Sequence, residues 1–148
     1  METYEQLKRR QQKEIGALPL GFAYNDRQFA EMMEKLGVQS PSELYRLGNT
    51  GAFHRKTDTR MIVDTFTRHS RERHDAIYRE QGIDVEYLRI MFYEEMCDHE
   101  FGINSNGRDD VLLACDITEE EMAQPEFQQA WAAARALYWQ NAQKNNWL

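Results

Sequence analysis

The sequence predicts an all-α fold: one compact helical domain of five to six helices over residues 1–148, with residues 1–16 as a peripheral N-terminal helix. Two observations carry this prediction. Apolar residues recur at intervals of three and four along several segments, and residues that start or stop helices bracket those segments, as in Ser40-Pro41-Ser42-Glu43 and Thr118-Glu119-Glu120-Glu121. Composition agrees, since 41% apolar, 11% aromatic and 29% charged residues suit a folded chain and exclude a disordered one. A chain of 148 residues buries about two-thirds of its unfolded surface in one core, so neither disulfide nor metal is required for stability.

Each element follows from local chemistry. From Thr3 to Ile15 the chain is polar and helix-prone, with only Tyr4, Leu7 and Ile15 as apolar positions, hence its peripheral assignment. Leu18-Pro19-Leu20-Gly21-Phe22 breaks it. Asn25 or Asp26 then caps a helix carrying Phe29, Met32, Met33 and Leu36, which Gly37 closes in a left-handed conformation. Ser40-Pro41-Ser42-Glu43 predicts a short helix ending before Gly48, because a Ser cap, a Pro at the first turn and a Glu three residues on satisfy the free backbone groups. After the loop Gly48-Asn49-Thr50-Gly51-Ala52, Thr57 or Asp58 caps a long helix to about Glu80, with Ile62, Phe66, His69 and Ala76/Ile77 on its apolar face; Gly82 stops it.

Asp84 caps the next helix, to about Glu100. Its apolar residues Val85, Leu88, Met91, Phe92, Met96 and Phe101 spread around most of the circumference, which marks it as the central, most buried helix. Ile103-Asn104-Ser105-Asn106-Gly107-Arg108 is a turn. This part of the chain admits two structures equally well: a short β-hairpin near residues 101–114, with residues 111–114 as its second arm, or a helix over residues 111–115. Thr118 opens another helix and Pro125 the last, striped by Phe127, Trp131, Ala134 and Tyr138.

Charge is uneven. The net charge is −7, with seven acids and seven bases in residues 1–53, four acids against seven bases in residues 54–79, and fourteen acids against Arg89 and Arg108 in residues 80–126. Acidity of this kind argues against direct nucleic-acid binding. The dense block reads either as a solvated face or as carboxylates presented to a basic protein groove. Its partner-binding candidates are Asp109, Asp110, Asp116, Glu119, Glu120 and Glu121.

Two further clusters hold chemistry. His54, Arg55, Lys56 and Thr57 lie at a helix start just after a glycine-containing turn, where free N–H groups favour an anion such as a nucleotide phosphate. The turn is neither a Walker A loop nor a GxGxxG motif. Glu95 and His99 are four apart on the central helix, with His69 as a third candidate metal ligand on an apolar stripe; a hydrogen-bonded Glu–His pair ordering the core is the competing reading. No Gly-x-Ser-x-Gly elbow occurs, and no cofactor is expected. Cys97 and Cys115 form no CxxC pair and are expected as reduced thiols. With no signal-like start and no apolar run near the ~20 residues of a membrane helix, a cytoplasmic protein is expected.

Leu18-Pro19-Leu20-Gly21-Phe22-Ala23-Tyr24, Gln28-Phe29-Ala30-Glu31-Met32-Met33, Gly51-Ala52-Phe53-His54-Arg55-Lys56-Thr57-Asp58 and Asp98-His99-Glu100-Phe101 resemble a group of small uncharacterised helical proteins of phages and mobile elements of gut bacteria. That resemblance implies a mobile-element setting, in which small acidic helical proteins often bind a host defence component, anti-CRISPR inhibitors among them. The leading expectation is a non-enzymatic binding protein using its acidic surface against a basic partner, such as a host defence nuclease, in the host cytoplasm. The alternatives are a nucleotide-binding sponge at His54-Arg55-Lys56 and a metal-dependent hydrolase centred on Glu95 and His99. Oligomeric state is not predicted.

Overall fold

A computed structural model describes residues 1–147. The chain divides into two compact units, one of residues 1–8 and 70–148, the other of residues 9–69. Among the described residues there are seven α-helices and five short strands. The protein is therefore predominantly helical, but not all-α and not limited to five or six helices.

The first unit is built around α4 (Val85–Asp98), whose Asp84 cap accepts from the Tyr87 amide as its sequence requires. Leu88, Met91, Phe92 and Met96 have no exposed surface. Apolar residues all round this helix demand cover on several sides. They find it from α7 (Pro125–Lys144) and α5 (Gly107–Cys115). On α7, Phe127, Ala130, Ala134, Tyr138 and Ala142 are buried; the three alanines allow close helix approach, and Trp131 stands edge-on to Phe92 at 5.1 Å. The short α6 (Glu119–Met122) starts with the expected capping box at Thr118 and Glu121. Strands β4 (Tyr78–Arg79) and β5 (Gly82–Ile83) form a two-stranded hairpin, so Gly82, at φ 117°, turns a hairpin rather than stopping a helix.

One pair of alternatives is resolved in favour of the helix, and one expectation changes. No hairpin forms near residues 101–114: α5 occupies the second half, with Val111, Leu112 and Cys115 buried at helical spacing, and Asn104 orders the turn before it by donating to the His99 carbonyl and to Asp110. The start of α1 (Tyr4–Gly16) is not peripheral, because Tyr4 is 3% exposed and belongs to this core.

The second unit pairs α2 (Asp26–Leu36) with a three-stranded antiparallel sheet, β1 (Gly21–Phe22), β3 (Ala52–Arg55) and β2 (Leu44–Leu47) in that order. Asn25 caps α2 and Gly37, at φ 69°, closes it. The capping box at Ser40 and Glu43 also forms, but it closes a single 3-10 turn, Pro41–Glu43. The predicted short helix stops there because Leu44 to Leu47 pair with Arg55 to Ala52. Ladder bonds and burial of Leu44 outweigh a local helix preference. Ala23, Met32, Val38 and Leu44 form the small core, with Phe29 edge-on to Phe53 at 5.3 Å. A second 3-10 turn, Lys56–Asp58, leads into α3 (Thr59–Ile77).

Candidate functional site

The most connected polar cluster lies in the first unit, on α4 and the first turns of α1. Glu95 is 2% exposed. The Tyr4 hydroxyl donates to its Oε1 at 2.5 Å and the Lys8 ammonium to the same oxygen at 2.6 Å, while His99 Nε2 lies 3.3 Å from Oε2. Lys8 also pairs with Asp98. Tyr4 and Lys8 share a face of α1 by their spacing of four, as Glu95 and His99 do on α4.

The electrostatics follow from burial. Desolvation above all, with coupling to the Cys115 thiol and to the Glu95 carboxylate adding to it, pushes the Tyr4 hydroxyl far above its usual range, so it serves purely as a donor. Burial opposes the charge on Lys8, but its hydrogen bonds to Asp98 and Glu95 outweigh that and hold the ammonium above its ordinary value. Glu95 thus has two donors converging on one oxygen, the arrangement that makes a buried carboxylate tolerable.

His99 is beside Glu95, as the spacing predicts, but His69 belongs to the second unit, where its Nε2 lies 3.5 Å from Glu14. The structure therefore brings together two of the three candidate metal ligands. An ammonium and a phenol occupy Glu95 where further metal ligands would have to stand. Tyr4 and Lys8 were not among the sequence candidates for this cluster; their four-residue spacing on a polar helix was their only mark.

The anion candidates in the second unit are engaged internally. His54 is 5% exposed and its Nδ1 lies 2.9 Å from the Arg55 carbonyl. Arg55 pairs with the buried Asp58 at 2.8 Å, Lys56 lies over the Tyr45 ring at 4.8 Å, and Thr57 is exposed. The glycine turn before them serves the β2–β3 hairpin. Gly48 and Gly51 both have positive φ, Thr50 Oγ1 donates to the Leu47 carbonyl, and a Cβ on Gly51 would come within 2.3 Å of the Tyr24 ring. Arg55 is partnered by a carboxylate, His54 by a backbone carbonyl and Lys56 by an aromatic ring.

The acidic candidates all belong to the first unit, in different states. Asp116, left-handed at φ 62°, closes α5, accepts from Ser70 and lies 3.5 Å from Arg73. Asp110 accepts from Asn104 at 2.8 Å, Glu121 accepts from the Tyr78 hydroxyl at 2.6 Å, and Glu119 pairs with Arg108. Asp109 and Glu120 are exposed. No helix among the described residues is long and apolar enough to cross a membrane.

A mainly helical chain in two units, one apolar and acidic with a buried carboxylate cluster, is the class that fold and site define. Residues 3–136 match a family of unknown function, DUF7659, and the chain belongs to that family. Comparison with curated proteins and with solved structures gave no match.

Proposed function

We propose that the protein acts by binding, with the acidic surface of its first unit engaging a basic protein partner. The observation that supports this reading is the division of charge. Residues 1–8 and 70–148 carry eighteen acids against eight bases, while residues 9–69 carry seven acids against ten bases. Opposed fields of this kind accelerate encounter with a complementary surface and repel wrong partners. Asp109, Glu119 and Glu120 present exposed carboxylates for this. In the mobile-element setting implied by the sequence resemblance, the partner is a host defence nuclease and the protein its inhibitor, of the anti-CRISPR kind.

The buried cluster fits a structural role beside this one. Reaching Glu95 would require displacing Tyr4 and Lys8, the groups that neutralise it. The test is recovery of a partner from host lysate at moderate salt, comparing the native chain with Asp109→Lys/Glu119→Lys/Glu120→Lys. The native chain is expected to retain a basic protein that the reversed variant loses, with an association rate that falls as salt rises. Equal recovery by both chains, or no recovery by either, overturns the proposal.

A further inference from the structure

We propose that the cavity where α4 and α7 end binds an organic cation, a quaternary or alkylated ammonium. The cavity has a volume of about 300 Å³ and is lined by Cys97, Glu100, Ile103, Tyr138 and Trp147. This is the small end of the range for ligand sites. The inference is independent of the acidic-surface reading and uses none of the carboxylates Asp109, Glu119 and Glu120 on which that reading is tested.

Both helices finish in the same way. Phe101 donates its amide to the Met96 carbonyl and Trp147 donates to the Ala142 carbonyl, each at 3.0 Å, with the preceding residue left-handed, Glu100 at φ 52° and Asn146 at φ 55°. This closure is normally given to glycine. Here it is given to residues with side chains, and it fixes Glu100 and Trp147 on the walls of one cavity. Tyr138 is itself held, its hydroxyl accepting from the Gly102 amide at 3.0 Å.

Three features converge on positive charge. The Tyr138 and Trp147 rings, 5.9 Å apart and inclined at 50°, both line the cavity and offer it aromatic surface. Glu100 places an acidic side chain at the same cavity. The C-terminal ends of two helices meet there, each the negative end of a helix dipole. An anion would meet repulsion from all three. A neutral apolar guest would strip water from Glu100 without replacing it. Burial raises the Cys97 thiol, so this wall is an uncharged, polarizable surface suited to N-methyl groups. Ile103, 71% exposed, adds an apolar edge to the cavity.

The test is an NMR titration that follows the Trp147 indole N–H. Its probes are choline, the neutral carbon isostere in which a tert-butyl group replaces the trimethylammonium, and a short peptide bearing trimethyl-lysine. At least one cation should saturate the Trp147 shift and bind about tenfold more tightly than the isostere. Tighter binding of choline assigns a free metabolite, and tighter binding of the peptide assigns a modified side chain. Trp147→Ala, followed instead by the Gly102 amide that bonds Tyr138, should abolish saturation. Glu100→Gln, which keeps the backbone and the volume, should weaken the cation and leave the isostere unchanged. Equal affinity for cation and isostere, a Glu100→Gln variant that binds both as before, or no saturable shift with either cation overturns the proposal.

Discussion

The two units solve the problem of burial in different ways. In residues 1–8 and 70–148 the interior is a continuous apolar cluster around α4, and Glu95 is the one buried charged or polar side chain among the described residues of that unit. In residues 9–69 the apolar cluster shrinks to Ala23, Met32, Val38 and Leu44, and four polar side chains, Gln11, His54, Asp58 and His69, are buried as well. Apolar packing is insensitive to pH and costly to cut into. Buried polar groups hold only while each keeps its partner and its protonation state. The second unit should therefore be the one that solution conditions loosen first.

Core truncation gives the largest test of that contrast. Phe127 has no exposed surface, and Phe127→Ala should cost about 3–5 kcal/mol in chemical denaturation. Phe53→Ala, at a half-buried sheet position, should cost about half as much, and equal losses would break the comparison. Next in size is the carboxylate cluster. Glu95→Ala leaves Tyr4 without its acceptor and Lys8 with Asp98 alone, and should cost about 2–3 kcal/mol, with Glu95→Gln recovering part of it.

The smallest effect is the most selective. A hydrogen bond from Arg68 holds the Glu14 carboxyl down to about 2 from an ordinary 4.5; burial opposes the shift, and Arg10 and His69 add to it. Because the folded value is depressed, the stability it confers is present above pH 4.5 and fades as pH falls toward 2. Hydrogen exchange should then show the segments that Glu14 joins, residues 10–16 of α1 and 59–69 of α3, losing protection over that window while α4 keeps it. Glu14→Gln should flatten the response. Simultaneous loss in both units would contradict the division.

Much of the first unit was legible in the sequence because its signals are local. Asp84, Thr118 and Pro125 mark helix starts by side-chain chemistry within one turn, and the apolar circumference of α4 announces a central helix. The sheet of the second unit was not legible. Its strands are two to four residues long, and their pairing depends on Gly21 meeting Phe53 across thirty-two positions of chain. Ser40 and Glu43 behave as a capping box should, yet the helix they start is overruled one turn later by strand pairing. The site was half legible for the same reason. Glu95 and His99 are neighbours by helical spacing, but nothing local tells that Tyr4 and Lys8 arrive from a helix some ninety positions earlier.

The two cysteines give the chain a pair of clocks. Cys115, 1% exposed and with its thiol driven well above the ordinary range by burial, can meet a reagent only when α5 lifts from α4. Cys97 lies half-buried on the wall of the cavity at the end of α4. The alkylation rate of the first therefore times the opening of the apolar core, and that of the second reports access to the cavity at the end of α4. Each is read from one native chain without a label having been introduced.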